Sequence, residues 1–335
     1  VDELDEGGAW DAVIVGGGPA GLSAALLLGR ARRRALVCDS GDYRNAPSRA
    51  MHGFLSRDGI DPARFRAEAH KELATYPGVR LLRAEVMGAE RGEQGFTLSL
   101  RAETQRPRSI QARSLLLATG LVDELPDLPG LPEVYGRDAW HCPYCDGFEN
   151  AGRRLAIYGQ GMTGVRLALE LRGWSESLTL CTNGLPLAAR ERRHLAPLGI
   201  ALREEALSGL DVAEGRLRGM RFADGGLLPV EGLFLAIPTR QRSDLGQRLG
   251  CRLTKTGSLR ADKHGATEVP GLFVAGDASP GLQMAIVAAA QGSVAAFTLN
   301  NELLRQELTA RRRGHSRKST KPPRQVEHRA GAGRG

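Results

Sequence analysis

The first strongly patterned stretch of the chain, residues 10–15, is almost entirely apolar and reads as a short buried strand. It runs into the glycine turn GGGPAG at 16–21 and then an apolar helix over 22–29. A second strand over 35–38 ends at Asp39, which completes a strand–helix–strand opening. An amphipathic helix is predicted from about residue 62 to 76. Strand-like runs at 79–82, 96–100 and 114–118, separated by turns and charges, read as a small antiparallel insertion. The pattern then restarts. Residues 154–158 form a strand, GQGMTG at 159–164 a second glycine turn, 165–172 a helix and 178–181 the next strand. Later, GLFVAGD at 271–277 leads into an alanine-rich helix over 282–304.

Two such units, neither ending the chain, predict an α/β protein. Its two Rossmann-like, three-layer ββα dinucleotide-binding domains are arranged with the second inserted into the first. The expected segments are 1–122 and 246–307 for the first domain, 123–245 for the insertion, and 308–335 for a basic disordered tail.

Composition narrows the function. The net charge is +8, but nine of the 46 basic residues and only one of the 38 acids lie after Glu307, so the remainder is balanced. That argues against a nucleic-acid-binding fold, leaving only unspecific attraction through the tail. No run is long and apolar enough to span a membrane, and residues 1–8 lack the pattern of a signal peptide. A cytoplasmic location is the expectation. Five cysteines, three of them isolated, do not make a secreted disulfide framework.

One pair, in His-Cys-Pro-Tyr-Cys-Asp-Gly at 141–147, has redox spacing. Cys142 and Cys145 meet across one helical turn, and a helix N-terminus lowers a thiol's pKa. A CxxC can also be half of a zinc site, but no second CxxC exists to complete one, and no metal is expected. In the first glycine turn, Gly16, Gly18 and Gly21 permit a tight turn, close approach to a pyrophosphate, and close packing of helix on strand. Asp39 follows at the spacing of an acid that grips a ribose hydroxyl.

GGGPAG near the start, ATG at 118–120 and AGD at 275–277 together resemble the two-dinucleotide-domain flavoprotein disulfide reductases. The CxxC just before the inserted unit's first strand, followed by Asp146 and Gly147, resembles the low-molecular-weight thioredoxin reductases among them. The resemblance covers nearly all of the chain except the tail. It implies FAD, held by the first turn (Gly16, Gly18, Pro19, Ala20, Gly21), by Asp39 and Ser40, and by the loop residues Arg44, Asn45 and His52. Ala118, Thr119 and Gly120 are expected to join them. Gly276 and Asp277 are expected at the ribityl chain, and Gln283, Met284 and Ala285 where the last helix aims its N-terminus at the flavin. It further implies that Cys145 faces the flavin, that Cys142 attacks the external partner, and that Asp146 moves the proton.

The chain departs from that family after its second inserted strand. Cys-Thr-Asn-Gly at 181–184 replaces the basic motif that holds a 2′-phosphate. Gly159, Gly161, Gly164 and Asn183 remain as candidates for NADPH or NADH, and Arg190, Arg192 and Arg193 lie a little downstream, read as a solvated helix face with a phosphate clamp as the alternative. These departures resemble a subgroup that includes the dithiol oxidases of holomycin- and gliotoxin-type natural products, although Asp146 stands where those commonly show histidine. Electron flow in either direction therefore stays open. One direction runs from NAD(P)H to a disulfide such as thioredoxin's, and the other from a small dithiol to oxygen. A homodimer is expected. A non-catalytic flavin-binding protein would have no need of the CxxC.

Overall fold

A computed structural model describes residues 8–101 and 108–319, with side chains to residue 313. The chain opens with β1 (Trp10–Val15), α1 (Pro19–Arg30), β2 (Ala35–Asp39), α2 (Pro62–Leu73), β3 (Val79–Arg83), β4 (Glu85–Gly92), β5 (Gly95–Arg101) and β6 (Arg108–Leu117). Parallel pairing of β3, β2, β1 and β6 builds the centre of the first sheet. β1 is apolar almost throughout because both of its faces are covered. Ala12 and Ile14 face α1, while Val13 and Val15 face Leu98 and Leu100 of the antiparallel strands.

The runs at 79–82 and 114–118 are therefore not part of an antiparallel insertion, as their short length suggested. They are parallel strands of the main sheet, and only β4, β5 and the first half of β6 pair antiparallel. Short apolar runs carry no mark of strand direction, which explains the difference.

Next come β7 (Leu121–Asp123), α3 (Leu131–Val134), β8 (Ala139–Trp140), α4 (Pro143–Asp146), β9 (Leu155–Tyr158), α5 (Gly161–Leu171), β10 (Leu178–Cys181) and α6 (Ala189–Arg192). β11 (Ala201–Arg203), β12 (Leu207–Ala213), β13 (Arg216–Phe222), β14 (Leu227–Pro229), β15 (Gly232–Leu235) and β16 (Thr239–Gln241) follow. Strands β11, β10, β9, β15 and β8 make a second parallel sheet. α5 packs on one face through Val165 and Ala168, and β12–β14 cover the other through Leu210, Met220 and Phe222. The chain leaves the first sheet along β7 and returns along β16, and these two pair antiparallel as a narrow ribbon.

The last elements are α7 (Leu245–Arg248), β17 (Leu272–Val274) and α8 (Ala285–Ser319). β17 adds to β6, and α8 lies along α1. α8 runs well past residue 304, so the start of the stretch expected to be disordered is helical instead. Glu307 explains part of this extension, since it accepts hydrogen bonds from Arg33 at 2.6 Å and Arg113 at 2.8 Å. The remainder of that stretch, 320–335, lies outside the described residues.

The contact of α8 with α1 depends on Gly292. A Cβ there would lie 2.0 Å from the carbonyl oxygen of Ala20, at the start of α1. Backbone cannot yield as a side-chain tip can. Gly292→Ala is expected to destabilise the protein by about 1–3 kcal/mol or more. A denaturant melt of the purified protein checks this.

Candidate active site

β1 ends at Gly16, where the chain must turn sharply beside the end of β6. Gly16 has φ +113°, and a Cβ there would lie 2.3 Å from the carbonyl oxygen of Ala118. Glycine is required on both counts. The turn opens into a cavity of about 630 Å³, within the usual range for ligand sites. Its wall gathers the separate sequence motifs: Gly16, Gly18, Pro19 and Ala20; Asp39 and Ser40; Arg44, Asn45 and His52. Ala118, Thr119, Gly120, Gly276, Asp277, Gln283, Met284 and Ala285 line it as well. Gly21 lies behind the lining, packed on the carbonyl oxygen of Gly16.

Cys142, Cys145 and Asp146 line the same cavity. Cys142 precedes α4, and its carbonyl accepts the N–H of Cys145 at 3.1 Å and of Asp146 at 3.2 Å. This single turn brings the Cα atoms to 5.3 Å, and the pair is a disulfide. Tyr144 packs edge-on against Trp174, which holds the turn on its own sheet. Burial raises the Asp146 carboxyl to about 7; nearby His52 pulls it down and Glu149 pushes it up. A proton can therefore be held or released there near neutral pH.

The residues suit FAD. The glycine cradle is open at Gly18, where a Cβ would have no atom within 4 Å, and Thr119 Oγ1 is buried with no partner among the described residues. Asp39 accepts hydrogen bonds from the N–H groups of Gly17 and Gly41 and from the Tyr43 hydroxyl, which aims its carboxylate at the turn. Two of the residues expected at the cofactor also have partners within the protein. Arg44 forks onto Asp123 at 2.6 Å and Asp277 at 3.0 Å, and it also donates to Gln283 at 2.7 Å. His52 stands 3.6 Å from both Asp58 and Glu149.

Asp123 and Tyr135 join the site without having been marked by the sequence. The Tyr135 hydroxyl donates to Asp123 at 2.8 Å and lies 3.1 Å from Nδ1 of His141. Neither residue belongs to a motif, and Arg44 and Asp123 are 79 positions apart, so no local signal reveals them.

The nicotinamide candidates lie elsewhere. Gly159 lies in the turn before α5, and Gly161 and Gly164 in the first turn of that helix, all outside the cavity. Asn183 spends its side chain on the N–H of Leu207. Arg192 is taken by Glu204 at 2.7 Å and by the Leu187 carbonyl, while Arg190 and Arg193 are exposed.

Asp146 gives a pH prediction. Its folded pKa, about 7, stands above the usual carboxyl value of 3.8, so the folded state holds an extra proton between those limits. Stability should fall as pH rises through that window. Asp146→Asn should match the wild type near pH 4 and melt higher than it near pH 8. Thermal melts across that range test the sign, and equal melting differences at both ends would refute it.

Residues 10–292 match the family model described as pyridine nucleotide-disulphide oxidoreductase. The chain is 33% identical to thioredoxin reductase tcpT of Claviceps purpurea, over 88% of this chain and 94% of that one. It is 31% identical to thioredoxin reductase aclD of Aspergillus oryzae, over 88% and 96%. The crystal structure of HlmI superimposes with a TM-score of 0.88 at 37% identity, covering 95% of this chain and 99% of that one. Family members bind FAD and use NAD(P)H. With its disulfide in the wall of the cofactor cavity, the chain belongs to the pyridine nucleotide-disulphide oxidoreductases, as a thioredoxin-reductase-like FAD-dependent dithiol–disulfide oxidoreductase.

Proposed function

We propose that the protein works as a dithiol oxidase. Two thiols of a small substrate are oxidised to a disulfide, and the Cys142–Cys145 disulfide is reduced to two thiols. Bound FAD supplies the two-electron sink that restores the cysteine disulfide and hands the electrons to oxygen, giving hydrogen peroxide. The residues assigned to it are the cavity residues given above, with Cys145 towards the flavin and Cys142 towards the substrate.

The observation that carries this reading is the charge at the other glycine turn. Gly161 begins α5, whose free N–H groups would receive a coenzyme pyrophosphate. Glu191 faces that point instead: its Oε1 would lie 3.8 Å from a Cβ on Gly161. Glu204 stands beside the turn after β10, accepting the N–H of Leu187. The Glu191 carboxylate opposes a polyanionic coenzyme there, and Glu204 engages Arg192 at 2.7 Å, which takes that arginine from a phosphate. A reductase drawing on NAD(P)H is the second reading, favoured by the weak acid Asp146 in the place where reductases carry it.

Under anaerobic mixing, dithiothreitol should bleach the flavin rapidly and air should restore it. NADPH and NADH should act slowly, with a preference of about tenfold or less, since Thr182 is buried, Asn183 is engaged by Leu207, and a neutral hydrogen bond there would supply only about 0.5–1.5 kcal/mol. Rapid, strongly NADPH-selective bleaching would instead establish the reductase.

The reading takes the protein to be cytoplasmic, where the buried Cys38, Cys181 and Cys251 stay reduced. It also takes it to be a homodimer. The face of α8 turned away from α1 carries Val287, Ala290, Val294, Phe297, Asn301, Leu304 and Leu308, spaced alternately by three and four residues. Phe297 is 62% exposed and Leu308 54%. That spacing suits a helix seam between two copies, with Asn301 setting its register. Phe297→Asp should give a monomer by light scattering, and a persistent dimer would place the contact elsewhere.

A further inference from the structure

We infer that His141 is the base that serves the outer sulfur, Cys142, and that Tyr135 and Asp123 hold it in the one tautomer able to do so. The role applies to thiol–disulfide exchange in either direction; the direction followed below rests on the dithiol substrate proposed above.

The tautomer follows from counting protons. Asp123 lies at the end of β7 with its side chain only 6% exposed. Burial pushes its carboxyl up, but hydrogen bonding to Arg44, the charges of His141 and Arg44, and the Tyr135 hydroxyl outweigh this and hold it below the usual range. An ionised carboxylate only accepts, so the single proton of Tyr135 points at Asp123. Burial, followed by the charge of Asp123, raises the Tyr135 phenol, which therefore keeps that proton. The phenol oxygen can then only accept from His141, whose Nδ1 is 3.1 Å away and must carry the hydrogen.

Burial lowers the His141 imidazole below its ordinary value. The charges that face it are Asp123 on the ribbon, and Arg44 and Asp277 from the cofactor side; the two acids oppose the lowering and Arg44 adds to it. The ring is neutral at neutral pH, so Nε2 is bare. Nearly parallel to the Tyr135 ring at 6.4 Å, it stands in the cavity wall beside Cys142.

The exchange then balances. A substrate thiol gives its proton to His141 Nε2 as its sulfur attacks Sγ of Cys142. The Cys142–Cys145 bond breaks, and Cys145 takes the electron pair. The second substrate thiol gives its proton to Asp146 and attacks the first substrate sulfur, so that the substrate disulfide forms. Cys142 leaves with its electron pair and receives the proton from His141, and Cys145 receives the one held by Asp146. Two electrons and two protons pass from substrate to enzyme.

The test reads Cys142 directly. In a Cys145→Ser holoenzyme, where Cys142 is the one thiol left of the pair, alkylation by iodoacetamide is followed against pH with peptide mass spectrometry. When His141 takes the Cys142 proton, the imidazolium it becomes pairs with the thiolate and keeps Cys142 partly ionised on the acid side. His141→Gln should slow alkylation near pH 6 by about tenfold or more and move its midpoint up towards about 8.5, the free-cysteine value. Tyr135→Phe keeps the ring but frees the tautomer, and should give a smaller slowing with the midpoint moved in the same direction. Wild-type profiles in both variants would overturn the assignment, as would a loss of flavin or of melting temperature with the midpoint unmoved. Alkylation needs no electron acceptor. An enzyme bleached by NADPH alone would sink the oxidase reading and leave this result standing.

Discussion

Arg44 forks between Asp123 and Asp277, and the geometry of the redox centre depends on that fork. Its side chain is 14% exposed and that of Asp123 6%, so both charges have lost most of their water. Such a pair adds little net stability, yet removing one partner strands the other at a cost of about 3–5 kcal/mol. The force of the interaction is therefore positional. Asp277 precedes α8 beside the first sheet, whereas Asp123 belongs to the ribbon on which the second sheet hangs. Through Tyr135 the same carboxylate reaches His141, the neighbour of the disulfide. One buried cation thus ties the cofactor cavity, the connecting ribbon and the cysteine turn together. His52, between Asp58 and Glu149, makes a second and weaker link across the same gap.

The two glycine turns place similar backbone in very different surroundings. At the redox cavity, the ionisable groups near the cysteines are weak acids and bases poised for proton exchange, with Asp146 raised to about 7 and His141 held neutral, both mainly by burial. At the second turn, Glu191 and Glu204 are structural acceptors for the backbone N–H groups of Ala188 and Leu187. Glu204 also pairs with Arg192 at 2.7 Å. The surroundings differ although both turns sit on parallel sheets.

Much of the fold, and the motif residues of the cavity wall, were legible in the sequence, because glycine turns, an acid ending a strand and a CxxC are local devices. Each needs particular residues at fixed spacing, as Gly16 shows with its positive φ and its contact with Ala118. What escaped was long-range or directional. β3 and the end of β6 join the parallel sheet, but an apolar run of four or five residues does not announce its partner strand. The extension of α8 was masked by its basic composition, although Glu307 meets Arg33 and Arg113 far back in the chain. The loop residues Arg44 and His52 were placed at the cofactor by resemblance. That Arg44 is held by Asp123 and Asp277, and that His52 lies near Asp58 and Glu149, emerges only in three dimensions.

A Rossmann turn is accordingly a permissive device. Its glycines bring neutral N–H donors and a helix end to one point, a contribution worth roughly 0.3–1 kcal/mol per interacting charge at an exposed helix terminus. That is too little to set by itself what the turn binds. The decision rests with side chains supplied from elsewhere. Beside the first turn, Asp39 is drawn in by Gly17, Gly41 and Tyr43, with the Arg66 guanidinium 3.7 Å from the Tyr43 ring centre. Beside the second, the nearest charge of the capping helix is Glu191, and Arg192 on the same helix is already neutralised by Glu204. On the reading proposed above, the same strand–turn–helix unit serves one end of the molecule as a cofactor seat and the other as a support for the segment that carries Cys142 and Cys145.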